Sequence, residues 1–194
     1  MNEKAIEILK KGGIIVYPTD TVYGIGTSMF NKEGIERIFE IKGRNKKIPV
    51  SIAVSSIEMA KKMAYFDDPS ERIFLKYMPG SLTMILKNKG APETITRGSG
   101  TVGIRMPANE IVLRIIGGLG NPITSTSANM HGKPPATTIK EAKEQLGNEI
   151  DLYVDGGVCN RRASTIFDCI HKKVLREGDL IVEWPKFVDK SIAK

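Results

Sequence analysis

Cations and hydroxyls are the side chains this chain offers for chemistry. Thr19, Asp20, Thr21 and Tyr23 place four polar side chains in five positions, directly after Pro18 and directly before Gly24 and Gly26. The two glycines would let backbone approach a ligand closely, although the same composition suits an ordinary turn. Lys42-Gly43-Arg44, with Asn45, Lys46 and Lys47 behind it, concentrates charge where a helix should end. Cations there complement a helix dipole, and an arginine fork beside a lysine also fits phosphate oxygens. Arg105 interrupts an apolar run: it either faces a partner or ligand, or points outward from an edge strand. Ser125-Thr126-Ser127-Ala128-Asn129 puts three hydroxyls and an amide where a short strand should end. Ligands of α/β sheets gather at the carboxyl ends of strands, so a crevice is expected there. Asp155-Gly156-Gly157 and Ala163-Ser164-Thr165 repeat the theme.

Neither histidine lies in a nucleophile motif and no carboxylate pair stands out, which disfavours covalent or acid-base hydrolysis. Gly98-Ser99-Gly100-Thr101-Val102-Gly103 matches the dinucleotide spacing, but residues 104–107 read as a strand where that fingerprint needs a helix. Cys159 and Cys169 have neither redox nor zinc spacing, and Cys169, His171 and the distant His131 make no ligand motif. No metal site is expected. Cations and hydroxyls around an anion suit phosphoryl or nucleotidyl chemistry, where positioning and charge stabilisation do most of the work.

Helices and strands must alternate to bring these groups together. Residues 4–11 read as an amphipathic helix stopped at Gly12-Gly13, and residues 14–17 as a strand buried on both faces. Asn31 caps a helix carrying Ile35, Ile38, Phe39 and Lys42 at helical spacing, with Gly43 as its stop. Strands are predicted over 49–54, 82–86, 102–106, 123–125, 152–154, 165–167 and 174–175. Helices are predicted over 57–63, 68–77, 109–116 and 138–146, with Gly117-Gly118 ending the third of these. The alternation gives an α/β sheet with helices packed on it.

The 194 residues contain no repeat and no composition break, so one domain over 1–185 and a loose tail over 186–194 are expected. A hydrophobic share of 41% with 26% charge is that of a globular protein, and no apolar run reaches membrane-spanning length. The first residues do not read as a secretory signal, so a cytoplasmic location and no membrane contact are expected. The net charge of +7 favours polyanionic partners, although the lysines are scattered and no aromatic ladder accompanies them.

Taken in order, Tyr17-Pro18-Thr19-Asp20-Thr21-Val22-Tyr23-Gly24, Lys42-Gly43-Arg44, Pro79-Gly80-Ser81-Leu82-Thr83, Thr101 through Pro107, Ser127-Ala128-Asn129 and Ser164-Thr165 resemble the YrdC/TsaC family of threonylcarbamoyl-AMP synthases. The resemblance spans residues 4–180 and implies the short, single-domain type: a twisted mixed sheet with helices packed on it and a concave, partly basic substrate cleft. It implies a nucleotidyltransferase that makes threonylcarbamoyl-AMP and pyrophosphate from L-threonine, bicarbonate and ATP, with Mg²⁺ accompanying ATP. A tRNA threonylcarbamoyl-transfer complex would use the product at adenosine 37. By motif, Lys42, Arg44, Ser127 and Asn129 would form the catalytic quartet; Thr21, Arg105, Ser125 and Ser164 would hold threonine; Arg44, Thr101, Ser127 and Arg176 would contact the nucleotide. Ile48, Ala53 and Pro135 depart from residues common in the family. A different reading is a non-catalytic protein of the same fold that binds double-stranded RNA or tRNA; the presence of both K-x-R and S-A-N favours the enzyme.

Overall fold

In a computed structural model, which describes residues 1–159 and 162–185, nine strands form one mixed sheet. The tail expected over 186–194 lies outside the described residues. The chain runs α1 (Asn2–Lys10), β1 (Ile15–Tyr17), β2 (Gly24–Gly26), α2 (Lys32–Lys42), β3 (Ser51–Ala53), α3 (Ile57–Met63), α4 (Asp68–Tyr77), β4 (Leu82–Lys87), α5 (Glu93–Thr96) and β5 (Thr101–Arg105). It continues through α6 (Glu110–Leu119), β6 (Ile123–Ser127), α7 (Ile139–Leu146), β7 (Leu152–Tyr153), β8 (Thr165–Asp168) and β9 (Lys173–Arg176). The sheet order is β7-β1-β2-β6-β3-β5-β4-β8-β9, with β1–β7, β3–β5 and β4–β8 parallel and the other pairs antiparallel.

Local chemistry sets most boundaries. Asn31, Ser56, Asn109 and Thr138 each cap a helix by accepting a backbone N–H from its first turn. Asp67 and Ser70 make a reciprocal capping box at α4. Gly43 ends α2 at φ 61°, in the left-handed region. Gly117-Gly118 does not end α6, because both glycines keep right-handed backbone and the left-handed exit falls at Gly120, φ 78°. β6 runs two residues further than expected, so Ser127 pairs with Gly24 in the ladder instead of following it. The turn-rich stretch before β5 contains the single turn α5.

Near β1 the sheet is covered on both faces. Ile14, Val16 and Ile25 pack with Ile38, Ile41 and Ala142, whereas Ile15 and Tyr17 pack with Ala5, Leu9 and Ile115. Further along only one face carries core: Ile52, Met84, Ile104 and Phe167 lie in one cluster with Phe39, Ile73 and Phe74. The opposite face of β5, β4 and β8, and of β3 at Ser51, is left for something else, whereas Ala53 of β3 packs under α1 and α6.

β2 corrects the reading of Gly24 and Gly26 as loop residues, since both lie in a strand, although Gly24 does border the cavity over the uncovered sheet face. A Cβ on Gly26 would collide with the carbonyl oxygen of Thr124 and come within 3.1 Å of the Tyr17 ring. Gly26→Ala is therefore expected to destabilise the protein by about 1–3 kcal/mol, read as a fall in the urea midpoint; an unchanged midpoint would show that β2 can yield.

Candidate functional site

The uncovered sheet face is the floor of a cavity of about 410 Å³. Along β4 and β5 its lining follows the two-residue strand period, whereas β6 contributes Ser125, Thr126 and Ser127 in succession. Thr83 and Ile85 come from β4, Thr101, Gly103 and Arg105 from β5, and Ser51 from β3. The register explains why they meet, since Ile85 lies opposite Gly103, Thr83 beside Ile166, and Ser51 opposite Ser125. The crevice expected where β6 ends is present, with Ser125, Thr126 and Ser127 in its lining, and it extends over the sheet face of β4 and β5. The signal for it was in the sequence: Thr83-x-Ile85 and Thr101-x-Gly103-x-Arg105 alternate, with Leu82, Met84, Val102 and Ile104 as buried counterparts.

Among the described residues, three cations face this space. Arg44, delivered by the left-handed turn at Gly43, donates from Nη2 to the Pro49 carbonyl at 2.9 Å and lies 5.7 Å from the Phe39 ring centroid. Arg176 donates from Nε and Nη2 to the Ser164 carbonyl, at 3.0 and 2.8 Å, and from Nη2 to the Ser164 hydroxyl at 3.1 Å. Arg105 donates from Nη2 to Asp20 Oδ1 at 2.7 Å and to Thr21 Oγ1 at 2.8 Å. Arg105 therefore does not point outward from an edge strand; β5 is interior and the side chain is buried with partners. Burial pushes the Arg44 guanidinium below its usual range, and burial with the Arg105 charge does the same to Arg176. An anion among the three would offset both costs.

Of the hydroxyls expected at the site, those of Thr101, Ser125, Ser127 and Ser164 line the cavity. Ser164 also shares a 2.8 Å hydrogen bond with Thr83. Thr21 lies behind the wall, fully buried, while Thr19 is the loop residue that lines it. The hydroxyl chain has one polarity. Thr19 donates to the Val22 carbonyl at 2.6 Å, so its 3.0 Å contact with Thr21 uses the Thr21 proton, and Thr21 accepts from Arg105.

Lys42 and Asn129 are not cavity-lining residues. Lys42 is 3% exposed, and its ammonium donates to the carbonyls of Ser127 and, at 2.6 Å, Asn129. The backbone answers, with His131 N–H donating to the Lys42 carbonyl at 2.7 Å. Burial, with the Arg44 charge beside it, pushes the Lys42 ammonium down to about 7. The Asn129 amide donates to Met130 and Lys133 carbonyls at 2.8 and 2.7 Å, and its buried Oδ1 has no hydrogen-bond partner among the described residues. The K-x-R and S-A-N segments are thus joined beneath the floor, with Arg44 and Ser127 presented to the cavity.

Sequence reasoning singled out Asp20 without its partner Arg105, and missed Ile85, Ile166 and Leu175, which add an apolar wall. Of the three departures, Ile48 lines the cavity, whereas Ala53 is fully buried between α1 and α6 neighbours and Pro135 is half-buried outside the lining. Among the described residues no group of three His, Cys, Asp or Glu side chains could hold a metal ion, and no helix is long and apolar enough to cross a membrane.

Comparison with known proteins adds a lineage to this geometry. The Sua5/YciO/YrdC family model, described as telomere recombination, matches residues 7–178. A threonylcarbamoyl-AMP synthase of Pyrococcus abyssi is 35% identical over 184 residues, 92% of this chain and 54% of that protein. This chain therefore spans about half the length of that relative. The crystal structure of P. abyssi Sua5 complexed with L-threonine superposes with a TM-score of 0.87 at 34% identity, covering 91% of this chain and 54% of that one. The structure of Escherichia coli YciO gives a TM-score of 0.85 at 30% identity over 92% and 89% of the two chains.

Proposed function

Because the chain belongs to the Sua5/YciO/YrdC family, we propose that it makes threonylcarbamoyl-AMP and pyrophosphate from L-threonine, bicarbonate and ATP. The observation that carries this is the convergence of Arg44, Arg105 and Arg176 on one hydroxyl-lined cavity. Such a site suits a substrate set that brings a carboxylate, a carbamate and a polyphosphate together.

In this reading threonine and bicarbonate condense to the threonine carbamate with loss of water. A carbamate oxygen then attacks the α-phosphorus of ATP, the bond to the β-phosphate oxygen breaks, and pyrophosphate leaves. Arg105 receives the threonine carboxylate, with Ser125 and Ser164 on the same floor. Thr21 acts through Arg105, since its proton is spent on Thr19. Arg44, Thr101, Ser127 and Arg176 meet the nucleotide, where preorganised charge stabilises the transferring phosphoryl group.

Mg²⁺ belongs to the ATP rather than to a protein cage. Asp20, the carboxylate beside Arg105, is committed to that arginine and to the Ala108 N–H at 3.1 Å, so phosphate oxygens and water would supply the ligands. Bound there, it would neutralise charge on the departing pyrophosphate. The product would pass to a tRNA threonylcarbamoyl-transfer complex, consistent with the basic net charge of a protein that meets RNA.

The assay is direct. The protein is incubated with MgATP, bicarbonate and labelled L-threonine, and should release pyrophosphate in step with a labelled adenylate, both lost when bicarbonate is removed. Absence of both products where an established synthase works would overturn the enzyme reading and leave RNA binding as the function to test.

A further inference from the structure

Asp20 carries no role in the function just proposed, yet it is the most connected carboxylate at the site. It leaves β1 in the loop after Pro18, whereas Arg105 ends β5, and β2, β6 and β3 lie between those two strands in the sheet. The loop crosses that span and places Asp20 Oδ1 2.7 Å from Arg105 Nη2 and 3.1 Å from the N–H of Ala108, in the lead-in to α6. One oxygen thus ties the loop after β1 to two points, three residues apart, at the end of β5. The pair is shielded from water, with side-chain exposures of 7% for Arg105 and 13% for Asp20. In such surroundings charges attract strongly, and a lost partner leaves the other uncompensated.

The remaining contacts of Arg105 show what this pairing controls. Its Nη2 is shared between Asp20 and Thr21, and its Nε is buried with no hydrogen-bond partner among the described residues. The guanidinium is held through a single nitrogen. Across the cavity Arg176 carries a second positive charge close enough to feel Arg105. Two like charges facing one empty space repel, and a fixed negative charge behind one of them reduces that cost without filling the space.

We propose that Asp20 is a positioning residue for the amino-acid subsite. It fixes the orientation of Arg105, so that the guanidinium meets the carboxylate of an amino-acid substrate, and supplies the counter-charge that lets Arg105 and Arg176 face one cavity before the substrate arrives. The role rests on the synthase reading for the identity of the ligand, though not for the ordering of Arg105.

The test separates those two parts. Arginine side chains are labelled with ¹⁵N, and the Arg105 signal is assigned by its loss in Arg105→Lys. Rotation about Nε–Cζ should be slow in the wild type and fast in Asp20→Ala, with Asp20→Asn between them because its amide oxygen still accepts. L-threonine affinity, measured by calorimetry, should weaken about tenfold in Asp20→Ala and less in Asp20→Asn, while ATP affinity stays within about twofold in both. An Arg105 that stays ordered in Asp20→Ala would overturn the proposal. So would tighter threonine binding, which would make Asp20 only a drain on anion affinity, or an equal loss for both substrates, which would mark a structural role. If Asp20→Ala does not fold, the same comparisons are made with Asp20→Asn. If the wild type binds no threonine, the synthase reading falls, and the rotation measurement alone decides whether Asp20 holds Arg105.

Discussion

Arg44→Ala should lower the rate of threonylcarbamoyl-adenylate formation by roughly 10²–10³-fold, the effect of removing one preorganised donor from a developing charge. The arginine is placed for that role by three features. Gly43 turns the chain out of α2, the Phe39 ring backs the guanidinium, and one hydrogen bond to the Pro49 carbonyl fixes it. Among the described residues no carboxylate pairs with it. Its charge is therefore available to a phosphate in a way that the charge of Arg105 is not. Stability should change little, since the loss is about one net hydrogen bond, or a few degrees in Tm. Arg44→Lys should recover only part of the rate, because a point charge cannot reproduce the planar fork. Turnover within twofold of wild type in Arg44→Ala would remove this residue from the mechanism.

Relative to Lys42→Met, the wild type should gain stability as pH rises on the alkaline side of neutrality. The folded protein holds the Lys42 proton with a pKa pushed from 10.5 down to about 7 by burial and by Arg44. Between those values the unfolded chain binds more protons, so unfolding free energy increases as pH rises through the window, and the full cost of the buried charge is felt below about 7. Urea unfolding at pH 6 and pH 9 should show the wild type gaining on the order of 2 kcal/mol relative to the variant. Other titrating groups are common to both proteins and cancel. Parallel stability curves would show that Lys42 stays charged throughout. The variant should also lose activity at every pH, because the carbonyls of Ser127 and Asn129 lose their shared donor.

Much of the fold was legible because its signals are local. The cap at Asn31, the helix starts at residues 57, 109 and 138 and the unbroken apolar run at residues 14–17 each depend on signals within a few residues, and each appears within one residue of where it was expected. β2 was not legible, since Gly24-Ile25-Gly26 offers one side chain and its glycines answer to Tyr17 and Thr124, partners on other strands. The end of α6 was misplaced because glycine permits a left-handed exit without requiring one. The site divides in the same way. Arg44, Thr101, Ser125, Ser127, Ser164 and Arg176 were nominated by motif and line the cavity, as does Arg105. The sequence placed Lys42 on the apolar stripe of α2 with Ile35, Ile38 and Phe39, and burial is what that stripe means. Asp20 with Arg105 spans 85 positions, and no local pattern announces such a pair.

β6 is both the strand that carries Ser125 and Ser127 and the one that joins β2 to β3, holding the two portions of the sheet together. If the proposed function is to be redirected toward another amino acid, that double duty divides the cavity into fixed and editable territory. The serines belong to the keystone, where a new side chain threatens assembly along with recognition. Thr83, Ile85 and Ile166 look into the same space from beyond the keystone, and substitutions there are the natural starting library.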